Sequence, residues 1–144
     1  MSQAVKTGPG SIELGHSASP IVKADKLLFV HFERPDLAKV EEYLCDFGLI
    51  SIKRTDTDLF LRGTDPQPYI YRATRGPVAR FLGLGFSVAT GADLERLAKA
   101  TGRPIEQDVA PGGGSVVRLT DPEGVAVHVL HGYRPAEQLP LRAA

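Results

Sequence analysis

Alternating apolar and polar residues predict short strands in this 144-residue chain, and apolar residues three or four positions apart predict two helices. The first strand is predicted at residues 27–33, where Leu28 and Val30 share one face and Phe29 and His31 share the other. Because the side chains of a strand point alternately to the two faces of a sheet, only one of these pairs packs against a helix. The pattern predicts that Leu28 and Val30 pack against a helix and that Phe29 and His31 lie on the opposite face.

The predicted elements follow the order β-α-β-β-β, and the second half of the chain repeats this order. The first half has a helix from Asp36 and strands at 49–53, 59–62 and 69–72; the second has a strand at 80–88, a helix from Asp93, and strands at 104–109, 115–119 and 125–130. This repeat indicates an α+β fold of two βαβββ modules, at about residues 25–76 and 79–132, packed as pseudo-symmetric halves.

The repeat is also visible in the residues themselves. Residues 59–76 align with residues 115–132 without a gap, and the alignment pairs Arg62 with Arg118. We therefore predict that these two arginines share a structural role near the end of a hairpin.

Composition excludes several classes of protein. The 17 basic and 17 acidic residues balance, which argues against a nucleic-acid-binding domain. No run of about 18 apolar residues occurs, so no membrane span is predicted. Cys45 is the single cysteine, which excludes an intramolecular disulfide and fits a reduced, cytoplasmic setting. The remaining class is a globular domain without a nucleic-acid or membrane partner.

The two ends of the chain differ in composition from the middle. Residues 1–24 are rich in Gly, Ser, Ala and Pro and are predicted to be a mobile or extended arm. Residues 133–144 contain two prolines and no periodicity, and we interpret them as a linker-like tail. A single domain is predicted between them, at residues 25–132.

Four stretches of that domain resemble the vicinal oxygen chelate superfamily, which includes glyoxalases, bleomycin-resistance proteins and extradiol ring-cleavage dioxygenases. They are FVHFERPDLAKVEEYLCDFGL, LFLRGTDPQPYIY, RFLGLGFSV and GGGSVVRLTDPEGVAVHVLHG. Within the superfamily, the chain most resembles the amino-terminal domain of two-domain extradiol catechol dioxygenases. The resemblance implies a curled mixed sheet whose concave face forms a cup for a divalent metal.

The metal ligands of the superfamily have fixed positions, and the resemblance carries them onto this chain. The first strands of the two modules supply Phe29 and Gly83, and the last strand supplies His128. Phe and Gly cannot ligate a metal through their side chains, so His128 is only a weak metal candidate. The resemblance therefore implies no metal or other cofactor in this chain, and Fe(II) in a second catalytic domain after residue 144.

Five residues are predicted to face the cup and are the candidate contacts of a ligand, which we expect to be an aromatic small molecule. They are Phe29, His31, Arg72, Gly83 and His128. Arg72 could pair with Glu33 or hold an anionic ligand, and His31 and His128 could form an improvised metal triad with Glu33. For each of these residues, a packed structural role is the more common alternative. Tyr69 and Tyr71 are predicted to face the helix side.

Three functions remain open. The first is the metal-free amino-terminal domain of an extradiol dioxygenase of aromatic-compound catabolism, with a structural and assembly role. The second is a stand-alone, metal-free small-molecule-binding protein of the bleomycin-resistance type. The third is a metal-dependent isomerase or lyase like glyoxalase, for which the ligands are missing. We expect a homo-oligomer, since one pair of modules leaves the edges of its sheet uncovered.

Overall fold

A computed structural model describes residues 20–140, and its elements follow the predicted order. The strands are β1 (Lys26–Arg34), β2 (Ile50–Arg54), β3 (Asp58–Arg62), β4 (Tyr71–Arg75), β5 (Arg80–Ser87), β6 (Ile105–Gln107), β7 (Ser115–Thr120) and β8 (Ala126–His131). The helices are α1 (Leu37–Asp46) and α2 (Gly91–Thr101). The strands form one mixed sheet in the order β2-β3-β4-β1-β5-β8-β7-β6. The predicted α+β tandem of two βαβββ modules is confirmed.

The two modules are related by an approximate two-fold axis at the centre of the sheet. There β1 and β5 lie side by side and antiparallel, and each pairs in parallel with the last strand of its own module. Val30 of β1 is opposite Tyr71, and Leu84 of β5 is opposite Val127. Because Val30 and Leu84 are also opposite each other, the axis passes close to this pair.

The side chains of the sheet form three apolar clusters, two beneath the helices and one on the opposite, cup face. The cluster under α1 contains Leu37, Leu59, Leu61, Tyr71 and Ala73. The cluster under α2 contains Val88, Leu94, Leu97, Val117 and Val129. The cup cluster contains Leu28, Phe29, Phe60, Tyr69, Ala110, Val116 and Leu130. The cup face therefore has a buried apolar cluster of its own.

A bulge in β1 changes the face on which Leu28 lies. The pairing with β5 skips this residue, since Leu27 is opposite Phe86 and Phe29 is opposite Gly85. A bulge inserts one unpaired residue and so interrupts strict alternation. The alternation predicts Leu28 beside Val30, but the residue packs with Phe29 in the cup cluster instead.

Each helix begins at a residue whose side chain caps it. Asp36 accepts a hydrogen bond from the Lys39 amide at 3.1 Å, and α1 begins where predicted. The second helix begins at Gly91, two residues before the predicted Asp93. The reason is that the Thr90 hydroxyl accepts a hydrogen bond from the Asp93 amide and provides the cap.

The strand β4 begins two residues later than the sequence predicts. Residues 66–70 contain two prolines and make bends rather than a strand. Tyr69 therefore precedes the strand and packs in the cup cluster, so its predicted orientation toward the helix is wrong. Tyr71 does lie beneath α1, where its ring stacks on Phe32 with the centroids 5.5 Å apart.

The hairpins of the two modules have different registers. Phe60 of β3 is opposite Arg72, whereas Arg118 of β7 is opposite His128. The position equivalent to Arg118 is therefore occupied by Phe60, and the gapless alignment with Arg62 is wrong by two residues. The loop between β3 and β4 is longer than the loop between β7 and β8, which accounts for the difference.

The described parts of the two terminal segments contact the domain. Val22 packs against the cluster under α2, and Arg96 donates from Nε to the carbonyl of Ile21 at 3.0 Å. Residues 133–140 have no regular secondary structure, but the Leu139 amide donates to the Thr64 carbonyl at 2.8 Å. The rest of the predicted arm and tail, 1–19 and 141–144, lies outside the described residues.

Candidate functional site

The five predicted cup residues lie on the four central strands of the sheet. His31 on β1 is flanked by Arg72 on β4 and Gly83 on β5, and His128 on β8 is opposite Gly85. The rings of Phe29 and His128 have centroids 6.3 Å apart. The structure thus brings the predicted residues together in two neighbouring rows across the cup face.

Aromatic side chains fill the middle of the cup. Phe29 is 4% exposed, and the centroid of its ring lies 4.9 Å from that of Tyr69, which in turn lies 5.0 Å from that of Phe60. A Cβ atom on Gly85 would be 2.0 Å from Cε2 of Phe29, so the ring occupies the space that a side chain there would need. The cavity left beside this packing is about 10 Å³. That is about the volume available to one water molecule.

A polar network lies beside the aromatic residues in the first module. The Thr74 hydroxyl donates to Oδ1 of Asp58 at 3.0 Å, and Nη2 of Arg72 pairs with the same oxygen at 3.3 Å. Nε2 of His31 is 2.8 Å from the Thr74 hydroxyl oxygen. Because the one hydroxyl hydrogen is directed at the carboxylate, His31 must be the donor in this contact. The proton of the neutral imidazole therefore sits on Nε2.

Burial and the neighbouring positive charge keep His31 neutral at physiological pH. The pKa of His31 is lowered to about 4, chiefly by burial and also by the positive charge of Arg72 and the nearby His128, which together outweigh the opposing effect of Asp58. Burial opposes ionisation of the Asp58 carboxyl. Hydrogen bonds from Thr57 and Thr74 and the charge of Arg72 outweigh burial and leave the Asp58 pKa below its usual range.

The second module holds a corresponding ion-pair group around His128. Arg118 donates from Nη1 to Oε1 of Glu106 at 2.6 Å, and its Nη2 lies 3.9 Å from Oδ1 of Asp108. Burial lowers the pKa of His128, and Arg118 and Arg72 add to that effect, while Asp108 and Glu106 oppose it. Burial thus favours the neutral form of both cup histidines.

Glu33 does not take part in the cup network. Its carboxylate accepts hydrogen bonds from the Val78 amide at 3.0 Å and from Nε of Arg80 at 2.9 Å, which lower its pKa. The improvised triad of His31, His128 and Glu33 is therefore not assembled. Nor does Glu33 pair with Arg72, whose carboxylate partner is Asp58.

The residues at the metal positions that the resemblance implies do not fit a metal ion. Of the three positions, only His128 has a ligating side chain, and the ring of Phe29 is directed toward it across Gly85. Within residues 20–140, no group of three or more His, Cys, Asp or Glu side chains could hold a metal ion. A facial triad for Fe(II) or Mn(II) needs three such ligands.

Several cup residues were not identified by sequence reasoning. Asp58 and Thr74 are opposite each other on β3 and β4, but the strand was predicted to begin one residue after Asp58. Phe60 and Arg118 occupy equivalent positions that the gapless alignment obscures. The carboxylate of Asp58 complements the Arg72 guanidinium and the Thr74 hydroxyl on the neighbouring strand, but this match is visible only once the register of β3 and β4 is known.

Comparison with known proteins gives matches of structure. No protein-family model matches the sequence. A search of curated proteins found no match to it. The fold matches an Mn(II)-bound glyoxalase from Novosphingobium aromaticivorans with a TM-score of 0.75 at 16% identity, covering 83% of this chain and 42% of that one. It matches an extradiol ring-cleaving dioxygenase from B. fuscum with a TM-score of 0.71 at 22% identity, covering 85% and 37%.

A third match is homoprotocatechuate 2,3-dioxygenase from Brevibacterium fuscum in complex with 3,4-dihydroxyphenylacetate. Its TM-score is 0.67 at 25% identity, covering 83% of this chain and 41% of that one. The chain thus spans about two fifths of the length of the structures it matches. It has the fold of the vicinal oxygen chelate superfamily, as the sequence predicts. Neither helix in the described part is long and apolar enough to cross a membrane.

Proposed function

We propose that this chain is a metal-free, non-catalytic module of an extradiol, catechol-cleaving dioxygenase, equivalent to the amino-terminal domain of such an enzyme. The observation that carries the proposal is the aromatic filling of the cup. Phe29 lies where the superfamily has a metal ligand, and Tyr69 and Phe60 pack around it. A cup filled in this way contributes a rigid, packed module and no open coordination positions.

The proposal assigns the chemistry to a second module of the same enzyme. That module would supply two histidines and a carboxylate for Fe(II), and the aromatic substrate would bind there. The length of the matched structures, about twice that of this chain, supports a partner of this kind. We expect the module to assemble into a homo-oligomer and to work in the cytoplasm.

Metal analysis of the purified chain tests the proposal. The chain is incubated with Fe(II) or Mn(II) without oxygen, dialysed, and analysed for metal and for cleavage of catechol. We expect far less than one metal per chain and no ring cleavage. His128→Gln is the matched control, and we expect it to leave the small residual metal content unchanged. Near-stoichiometric metal that survives dialysis and is lost in His128→Gln would overturn the proposal.

One observation favours a second candidate, a stand-alone protein that binds an organic molecule without metal. Nε of Arg72 is buried and has no hydrogen-bond partner among residues 20–140, so a small anionic ligand at the edge of the cup could accept from it. This candidate predicts a stable dimer and stoichiometric ligand binding. Calorimetric titration with benzoate, with Arg72→Gln as the control, separates the two functions, since the first predicts no binding.

A further inference from the structure

Residues 133–140, which we call the strap, cross from the end of β8 to the loop between β3 and β4 of the first module. Three backbone hydrogen bonds hold the strap, donated by Arg134 to Gly112 at 2.8 Å, by Ala136 to Pro66 at 2.6 Å and by Leu139 to Thr64 at 2.8 Å. The last two acceptors lie in the loop between β3 and β4. The strap therefore ties the last strand of the second module to the first module.

A buried arginine holds the far part of the strap. Arg62, the last residue of β3, is 8% exposed. Within the described residues, its guanidinium donates only to backbone carbonyls: Nε to Gly63 at 3.0 Å, and Nη2 to Asp65 at 2.9 Å and to Glu137. One charged group thus binds the loop and the strap together, and hydrogen bonds from a charged donor are stronger than those between neutral groups. Arg62 is therefore a positioning residue for the strap.

The glycines of the loop before β7 make room for the strap. A Cβ atom on Gly114 would be 2.7 Å from the amide nitrogen of Tyr133, and one on Gly112 would be 3.4 Å from the carbonyl oxygen of Arg134. A side chain at Gly114 would therefore prevent the strap from lying where it does. This part of the glycine-rich loop allows two backbone segments to approach closely.

Tyr133, the first residue of the strap, covers one edge of the cup cluster. It packs against that cluster and lines the cavity of about 10 Å³, together with Phe29, Tyr69, Leu130 and Pro111. Movement of the strap away from the cup would add the space of the Tyr133 ring to this cavity. The enlarged space would be apolar, lined by aromatic rings, and of the size of one ring.

The strap makes few contacts that would keep it closed. None of residues 133–140 is buried, whereas β8 contributes Val129 and Leu130 to the apolar clusters. Segments with few buried apolar contacts open at a lower free energy than the core. Gly132, directly before the strap, has a φ of +78°, and its Cβ position has no described heavy atom within 4 Å beyond those of adjacent residues. The backbone can therefore turn at Gly132 without displacing a neighbour.

We propose that the strap is a lid that opens about Gly132 while the sheet stays folded, and that its opening uncovers a binding site for a single uncharged aromatic ring. Tyr133 occupies this site when the strap is closed, and Arg62 keeps the strap closed. A ligand competes with Tyr133 for contact with Phe29 and Tyr69. The lid involves neither a metal ion nor a second module, so it and the proposed function can fail separately.

Hydrogen exchange of the full chain, followed by NMR, tests the opening. The amides of Arg134, Ala136 and Leu139 should exchange through one common opening whose rate low denaturant leaves unchanged. The amides of β8 should exchange only on global unfolding. Strap amides as well protected as those of β8, or three unrelated rates that rise toward residue 140, would overturn the lid.

A pair of arginine variants tests the role of Arg62. Arg62→Met should speed exchange of the Ala136 and Leu139 amides by about tenfold to hundredfold, because a charged donor to the strap is lost. Arg96→Met is the matched control, since Arg96 also donates to a backbone carbonyl of a terminal segment, that of Ile21, at 3.0 Å. It should leave the strap amides unchanged. Unchanged strap exchange in a folded Arg62→Met would contradict the role of Arg62. Exchange in the unaltered chain decides the opening even where Arg62→Met does not fold.

Phenol, the side chain of Tyr133 as a free molecule, is the probe of the site. Tyr133→Ala should bind phenol saturably, with chemical-shift changes at Phe29, Tyr69 and Leu130. The unaltered protein should bind it more than about tenfold more weakly, since only its open fraction is competent. Tyr43→Ala removes an exposed ring from α1 and should bind phenol as weakly as the unaltered protein. Absence of saturable binding to Tyr133→Ala, or equal binding to all three proteins, would refute the ring site.

Discussion

The two modules have the same order of strands and helix, but the first strand of one places large side chains in the cup and the first strand of the other places glycines there. The first strand of the first module contributes Phe29 and His31, and the equivalent strand of the second contributes Gly83 and Gly85. Each large side chain is opposite a glycine on the neighbouring strand. The comparison shows that the repeat determines the shape of the cup, whereas the pairing of large with small residues determines whether it is open or filled.

The largest loss of stability should come from truncating the large side chain of the pair, Phe29. Phe29→Ala should destabilise the protein by about 3–5 kcal/mol, because it leaves a cavity between Tyr69 and the sheet. Leu27→Ala on the same strand is the control, since Leu27 is 53% exposed, and it should cost much less. Urea unfolding of both variants measures the difference. Equal losses in the two variants would show that the ring does not fill the cup.

A smaller effect should follow when the small partner is enlarged. Gly85→Ala should cost about 2 kcal/mol, because its Cβ atom would overlap Cε2 of Phe29. At Gly63 a Cβ atom would be 3.6 Å from Cδ1 of Ile70, an ordinary contact, so Gly63→Ala is the control. The double variant Phe29→Ala with Gly85→Ala should lose less stability than the sum of the single variants. Strict additivity in denaturant unfolding would contradict the pairing.

The modules also differ at the far ends of their first strands. Glu33 of β1 accepts hydrogen bonds from Val78 and Arg80, whereas Ser87 at the equivalent place on β5 has a buried hydroxyl with no hydrogen-bond partner in the described structure. Glu33→Ala should therefore lower the melting temperature at pH 7, and Ser87→Ala should leave it unchanged or raise it slightly.

The pH dependence of that difference follows from the pKa of Glu33. Because its folded pKa is lowered, the stabilisation is present above the ordinary value of about 4.3 and is lost as the pH falls through the folded pKa. Thermal unfolding of Glu33→Ala and the unaltered protein should therefore converge at low pH. A loss of the same size at pH 2 and pH 7 would be evidence against the charged hydrogen bonds.

The last effect depends on pH and concerns the cup histidine His31. His31 has a folded pKa of about 4, against about 6.5 when unfolded, so the unfolded chain binds the extra proton between these values. Stability should therefore fall as the pH is lowered from about 6.5 to about 4. His31→Gln can still donate to Thr74 but cannot titrate, and it should flatten this decline in denaturant titrations. His131→Gln, outside the network, should retain it; a decline unchanged in His31→Gln would contradict the assignment.

Most of the fold could be predicted because the hydrophobic pattern repeats. Where it could not, a single residue or loop broke the period: the bulge at Leu28, the bends before Tyr71, and the longer hairpin that puts Phe60 opposite Arg72. None of these changes the apolar count of a segment. They change only which residue on the neighbouring strand is opposite. The hydrophobic pattern of a single strand does not determine its register with a neighbour.

The sequence predicts where the candidate site lies, but it predicts few of the side-chain contacts within it. The positions of Phe29 and His128 at the cup follow from their place on the first and last strands. The contacts that decide their chemistry come from elsewhere: Tyr69 from a loop, and Asp58 from a strand whose register depends on loop length. Such contacts join residues far apart in sequence, so they depend on the assembled sheet.

The central position of β1 and β5 also determines how the chain must assemble. Both neighbours of β1, the strands β4 and β5, lie about 40 to 60 residues further along the chain. The central strand of the sheet therefore forms its hydrogen bonds only through contacts that are distant in sequence. The local hairpins β2–β3 and β7–β8 can form early, but each lies at or near an edge of the sheet. We therefore expect slow folding, on the timescale of milliseconds to seconds, with its barrier at the step that joins the two modules through β1 and β5.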